Sequence, residues 1–317
     1  MIIAWDFDGV LNLNHDGRRY VWEDAFLDAV GQPAADFGAF VFSSATPQVL
    51  TGQIDILDRL EAWTQAVPCK MSAAEILAFW LEQDARPDAR MIAMVDRLKT
   101  HGTRQIITTN NEARRAAYIS EQMGFGARME RVFASGPMGV AKPDPGYYTH
   151  VADAMKVPPG DLVLIDDKPE NVEAAIASGW QGFHFTEARR ETLLSMLEAH
   201  MSPNPALRLA TYGTLAPGQV NHHHMGGMSG LWSRGTIHGH LHAEGWGAKH
   251  DCPGIHLAPD GEEVAVHIFT SPDLPDHWAR LDAFEGAEYR RVSTMADTPD
   301  GPLPVSIYQL ASAPGAA

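Results

Sequence analysis

The chain opens on an apolar run, Met1-Ile2-Ile3-Ala4-Trp5, that breaks at Asp6-Phe7-Asp8-Gly9. Such a run reads as a buried parallel strand with two acids and a glycine at its carboxyl end. From Asn12 to about Pro87 apolar residues recur at helical spacing, predicting helices over Val21–Val30, Val49–Ala66 and Ser72–Asp84. In the last, Ala73, Ile76, Leu77, Trp80 and Leu81 share one face, which reads as core. Strand and helix patterns then alternate: a helix over Met91–Thr100 closed by His101-Gly102, a strand over Arg104–Thr108, a helix from Glu112 and a strand over Leu162–Ile165. A further helix spans about Glu187–Met201, and Pro203-Asn204-Pro205 ends it.

Beyond Ala206 long helical patterns nearly vanish. Strands are expected over Leu207–Tyr212, Thr236–Leu241 and Glu263–Phe269, with one helix over Asp276–Phe284. The pattern predicts an α/β protein of two domains, in keeping with 317 residues. Residues 1–201 form a parallel sheet with a helical cap, about 12–87, inserted after the first strand. Residues 202–206 are a linker, and 207–317 form a small mixed α+β domain of barrel-like character.

Composition adds exclusions. The apolar fraction of 45% and charged fraction of 20% are ordinary for a globular protein. A net charge of −16 argues against nucleic acid and anionic membranes as partners, so small-molecule ligands are expected. Cys69 and Cys252 sit in no metal or redox spacing and read as reduced thiols. With no leader-like segment or membrane-length apolar run, a cytoplasmic protein is expected. The oligomeric state is not legible.

The strand ends carry the chemistry. Ligands of open α/β sheets bind at the carboxyl ends of strands, and buried carboxylates need partners. Asp6 is placed as a nucleophile for a phosphoryl group, and Asp8 as the acid and base beside it. The second strand ends in Thr108-Thr109-Asn110-Asn111, whose hydroxyl and amide groups suit a phosphate oxygen or a plain helix cap. Lys142, ahead of Pro143-Asp144-Pro145, could neutralise Asp6 and a phosphoryl oxygen. Asp166 and Asp167 end another buried strand, and with Asp6 and Asp8 they make an oxygen-rich set suited to Mg²⁺.

DFDGVL, the Thr-Asn strand end, the AKPDP lysine and LVLIDDKPENVEAA resemble, in that order, the four motifs of the haloacid dehalogenase superfamily of phosphatases, over about residues 1–186. The resemblance implies Asp6 as nucleophile, Asp8 as acid/base, Thr109 as phosphate donor, Lys142 as charge clamp and Asp166 or Asp167 as metal carboxylate. It also implies a substrate-selecting cap and hydrolysis of a phosphate ester.

In the second domain, the loop Tyr212-Gly213-Thr214-Leu215 follows a strand, and Glu285 precedes a helix-ending glycine, where the dipole favours a protonated carboxyl. YGTLAPGQVNH, the CPG stretch and LDAFEGAEYRR resemble the γ-glutamyl cyclotransferase-like fold, nearest its γ-glutamylamine branch. This implies that residues 212–215 hold a γ-glutamyl group and that Glu285 shuttles the proton as a γ-glutamyl amine or amide closes to 5-oxoproline. The alternative is a regulatory module that binds a small molecule without turnover. His222-His223-His224 and the alternating His238, His240 and His242 depart from the pattern and could hold Zn²⁺ or Ni²⁺.

Overall fold

The computed structural model describes residues 1–15, 19–42, 46–245 and 253–311; Cys252 lies outside them. Two compact units are present, Met1–Glu187 and Ala188–Ala317.

The first unit begins with β1 (Ile2–Trp5), then runs through α1 (Glu23–Val30), α2 (Ala34–Val41), α3 (Thr46–Leu50), α4 (Ile56–Ala66), α5 (Ala73–Asp84) and α6 (Ala89–His101). The chain continues as β2 (Arg104–Thr109), α7 (Ala113–Glu121), α8 (Phe125–Arg128), β3 (Arg131–Ala134), α9 (Ser135–Met138) and α10 (Pro145–Met155). It closes with β4 (Leu162–Asp166), α11 (Pro169–Ala177) and β5 (Gln181–His184). The five strands are all parallel, in the order β3-β2-β1-β4-β5. β1 lies at the centre and every one of its residues is buried, which is why its sequence shows no alternation. Its register, Trp5 opposite Ile107 and Ile165, brings the ends of β1, β2 and β4 to one edge.

Helices α1–α5 form the inserted cap, with its own core of Phe26, Phe37, Leu60, Trp63, Ile76 and Trp80. One of its expected helices differs, and one helix is additional. Val49–Ala66 is two helices, because Gly52 turns the chain at a φ of 71° and Asp55 caps the start of α4. Helix α2 was not anticipated. Ser72 and Glu75 form a reciprocal capping box on α5, which is why that helix was the most legible. The cap joins the sheet domain by two segments that pair with each other: Leu13 donates to the Arg86 carbonyl (2.7 Å) and Asp88 to that of Leu11 (2.9 Å).

The second unit contains α12 (Arg190–Met201), β6 (Arg208–Thr211), β7 (Leu231–His242), β8 (Gly254–Leu257), β9 (Glu262–Thr270), α13 (Leu274–Glu285), β10 (Tyr289–Thr298) and β11 (Gly301–Leu310). Helix α12 is part of this second unit. Arg208 explains it: its guanidinium donates to the terminal α12 carbonyls of Ala199 (3.2 Å) and His200 (2.8 Å). The strands run β10-β11-β6-β9-β7-β8, and a further pairing between β10 and β7 closes five of them into a barrel. Gly235 permits the closure, since a Cβ there would lie 2.7 Å from the Asp297 carbonyl. Val266, Ile268, Val305 and Ile307 fill the interior. No helix among the described residues is long and apolar enough to cross a membrane.

Candidate active sites

At the carboxyl edge of the parallel sheet, Asp6 is buried and takes two hydrogen bonds, from the Phe7 N–H (2.8 Å) and Lys142 Nζ (3.0 Å). Both fall on Oδ1; among the described residues Oδ2 is not held. Burial pushes the Asp6 carboxyl up to about 8; Lys142 pulls it down, while Asp166, Asp167 and Asp8 add to the rise. Lys142 is equally buried. Burial alone would lower its pKa, but Asp6 and Asp166 raise it overall, so it carries its charge. Its ammonium also donates to the Thr108 carbonyl (2.7 Å) and Asp166 Oδ2 (2.5 Å). All three donors thus have protein acceptors, and the lysine neutralises the acids from beneath the site.

Asp6, Asp166 and Asp167 each offer an oxygen within 4.8 Å of one another. The two acids of the pair play different parts. Asp166 is fully engaged, accepting from Lys142, from the Lys168 N–H (2.9 Å) and from Asn171 on both oxygens (3.0 and 3.1 Å). Among the described residues the buried Asp167 Oδ1 has no hydrogen-bond partner, and burial followed by the charge of Asp166 raises its pKa. An orphaned buried oxygen beside an acidic nucleophile fits a hard divalent cation. Gly9, at a φ of 83°, leaves room for this carboxylate, because a Cβ there would lie 2.5 Å from Asp167 Oδ2.

Asp8, expected in the metal set, has its carboxylate engaged elsewhere. Its carboxylate takes Asn12 (3.0 Å), Asn14 (3.0 Å) and Arg115 (2.6 Å) on Oδ1 and Asn111 (3.1 Å) on Oδ2, so it does not join the acidic group. Asn110 lines the same cavity, and its carboxamide donates to the Lys142 carbonyl (2.7 Å) and accepts from the Lys142 N–H (2.9 Å), clamping the lysine's backbone. The Thr109 hydroxyl accepts from Asn111 (2.7 Å), which leaves its own hydrogen to donate.

Arg115 and Asp84 escaped sequence reading. The buried Arg115 guanidinium pairs with both Asp8 and Asp84, and Asp84, 1% exposed at the end of α5, also accepts from Trp22 (2.7 Å) and Asn14 (3.1 Å). Asn12 bridges Asp8 to the Asp84 carbonyl (3.0 Å). The acid/base candidate is therefore wired to the cap's connecting segments. Asp6, Asp8, Thr109, Lys142 and Asp167 share one cavity of about 690 Å³ with the cap.

In the second unit, residues 212–215 and Glu285 line one small cavity of about 40 Å³, together with Tyr289 and Tyr308. Burial pushes the Glu285 carboxyl, 9% exposed, up to about 7. Glu288 is exposed. The end of α13 is fixed by Asp282, which takes two bonds from Arg291 (2.9 and 3.0 Å) and one from Tyr308 (2.7 Å). The Tyr212 hydroxyl bonds the Tyr308 carbonyl (2.9 Å), so its side chain anchors the loop to the sheet. Among the described residues no three histidines converge. His238 reaches the Gly261 carbonyl (3.2 Å), His240 is exposed, and His242 packs on His256 (5.1 Å between rings). His238 and His242, four residues apart on one strand, are separated by about 13 Å at their Cα atoms, too far for all three imidazoles of β7 to share an ion.

Residues 1–179 match the family description of the haloacid dehalogenase-like hydrolases. The chain belongs to that family. A relative of this hydrolase, sesquiterpene phosphatase astK of Aspergillus oryzae, is 30% identical over 155 residues, spanning 48% of this chain and 78% of the relative. Flavin mononucleotide hydrolase 1 of Arabidopsis thaliana is 37% identical over 70 residues, 22% of this chain and 29% of its own. The HAD family enzyme bt-2542 of Bacteroides thetaiotaomicron shares the fold, with a TM-score of 0.51 at 16% identity over 61% of this chain and 96% of that one. Residues 209–316 of the hydrolase match the γ-glutamyl cyclotransferase, AIG2-like family.

Proposed function

We propose that the first domain is a Mg²⁺-dependent phosphomonoester hydrolase working through phosphorylated Asp6, and that the second is a γ-glutamyl cyclotransferase. The observation that carries the first reading is a buried carboxylate with one unheld oxygen, facing the same cavity as Asp8. The relative's name as a sesquiterpene phosphatase supports phosphate chemistry over dehalogenation. Asp6 Oδ2 attacks phosphorus, the ester P–O bond breaks, and Asp8 gives a proton to the leaving alkoxide. Asp8 then takes a proton from the water that attacks the aspartyl-phosphate, releasing phosphate and restoring Asp6. Thr109 donates to a phosphoryl oxygen, Lys142 offsets the charge of the acids, and Asn110 holds Lys142 in place. Asp6 and Asp167 would hold Mg²⁺, which supplies positive charge against that of the phosphoryl group.

For the second domain, the carrying observation is the meeting of Glu285 with residues 212–215 around one cavity. A carboxyl titrating at about 7 suits a proton shuttle at neutral pH. Glu285 takes a proton from the substrate's α-ammonium, the freed amine attacks the γ-carbonyl, and Glu285 returns the proton to the departing amine. The products are 5-oxoproline and an amine.

One set of assays tests both. Asp6→Asn abolishes phosphate release and leaves 5-oxoproline formation intact, whereas Glu285→Gln does the reverse; EDTA stops only the first. Phosphate release by Asp6→Asn removes the first reading. A γ-glutamyl amine that binds but yields no 5-oxoproline makes the second domain a binding module.

A further inference from the structure

The cavity in front of Asp6 is far larger than a phosphoryl group requires; its 690 Å³ is of the size that takes a whole organic ligand. Its two ends differ in chemistry. The sheet end carries Asp6, Asp8, Asp167, Lys142, Lys168 and Arg115. The cap end presents Trp22, Phe37, Phe42, Leu50 and Trp80. The rings form one connected layer, with centroids 6.1 Å apart for Trp22–Phe37, 5.8 Å for Phe37–Trp80 and 5.8 Å for Phe42–Trp80. Trp22, Phe37 and Trp80 are locked into the cap core, so the layer is a preformed wall. Among the described residues the cap's lining contributes Glu23 and Asp84 but no lysine or arginine; its remaining polar groups are Asn14, His15, Tyr20 and Thr46.

Helix α2 adds an independent observation. It faces the cavity with Ala34, Ala35, Gly38 and Ala39. Glycine within a helix is destabilising relative to alanine and is usually explained by a positive φ or a close neighbour. Gly38 has neither: its φ is not positive, and a Cβ built there meets no described atom within 4 Å. What lies in front of it is the cavity.

We infer that the substrate is the monophosphate ester of a bulky, mainly apolar alcohol, whose body lies on the aromatic layer and against α2, with Gly38 setting the size accepted. The inference rests on the phosphatase reading. Burial of the alcohol against preformed rings holds the phosphorus before Asp6, so remote apolar contact raises kcat/KM.

The test measures kcat/KM of the full chain with Mg²⁺ on dodecyl phosphate, 1-naphthyl phosphate and glycerol 2-phosphate, with Asp6→Asn as the blank. At least one apolar ester should exceed glycerol 2-phosphate by about tenfold or more, a ratio that a few apolar contacts supply. The dodecyl and naphthyl arms separate a chain-shaped from a ring-shaped body. Gly38→Leu should lower that ratio about tenfold, with Gly38→Ala between it and the parent. Asp6-dependent turnover of all three esters at similar kcat/KM, or a ratio unmoved by Gly38→Leu, overturns the inference and leaves the phosphatase reading standing. Turnover of none removes both.

Discussion

Replacing Arg115 with methionine separates what holds the cap's connection from what presents the acid/base. Arg115 is buried, and its guanidinium serves Asp8 at 2.6 Å as well as the 1%-exposed Asp84. Methionine keeps the apolar stem of the side chain but removes the guanidinium, whose central carbon lies 5.3 Å from the Trp80 ring centre. It strands Asp84 as a buried carboxylate, and removing one member of such a pair costs about 3–5 kcal/mol. Trp22 and Asn14 still donate to Asp84, which puts the expected loss near the lower end, about 3 kcal/mol. Adding Asp84→Asn removes the stranded charge and should restore most of that stability. It cannot restore Asp8, which has lost one of its four donors, so kcat should remain down by about 10–100-fold in single and double variants. The assay pairs urea unfolding with Mg²⁺-dependent phosphate release. An Arg115→Met protein as stable as the parent, or a double variant with full kcat, would refute the reasoning.

Three further outcomes follow from the same geometry. Asp167→Asn should weaken Mg²⁺ activation by at least about tenfold with little loss of stability, whereas Asp166→Asn, which leaves Lys142 facing one acid fewer, should destabilise the fold by about 3 kcal/mol; metal titration and urea unfolding distinguish them. Glu285→Gln should lower 5-oxoproline formation by about 10²–10⁴-fold. Its stability effect has a definite sign: the folded pKa is raised from 4.5 to about 7, so the stability contributed by the neutral carboxyl is full below about pH 4.5 and lost as pH rises through 7. The variant should therefore match the parent near pH 4 and exceed it by up to about 3 kcal/mol at pH 8, read from urea unfolding at the two pH values.

How far the sequence reaches is set by how local each signal is. Asp6, Thr109, Lys142 and Asp167 sit at strand or helix ends, where an apolar run stops and a polar group begins, and such breaks are visible in one dimension. Arg115 lies within Arg114-Arg115-Ala116-Ala117, a pattern indistinguishable from a solvated helix face; only the fold brings it to Asp84, 31 positions away. Asn110 reads as a phosphate donor because its residue type suits the task, and its clamp on Lys142 depends on a loop 32 positions on. The barrel strands β10 and β11 were missed for compositional reasons. β10 carries exposed Arg290, Ser293 and Met295, and β11 contains Pro302 and Pro304, which demote a strand reading. The histidines of β7 alternate as read, but strand geometry alone does not gather them on one ion.

The central claim is that Asp6 itself carries the phosphoryl group, and trapping that group tests it most directly. With 2,4-dinitrophenyl phosphate the leaving group needs no proton, so Asp8→Asn should still phosphorylate Asp6 while lacking the base that activates water for hydrolysis. Borohydride reduction of the quenched mixture, followed by peptide mass spectrometry, should reveal homoserine at position 6, dependent on Mg²⁺ and absent when Asp6→Asn is added. Phosphate released at the parental rate by Asp8→Asn with position 6 unmodified, or reduction at another carboxylate, would contradict the account.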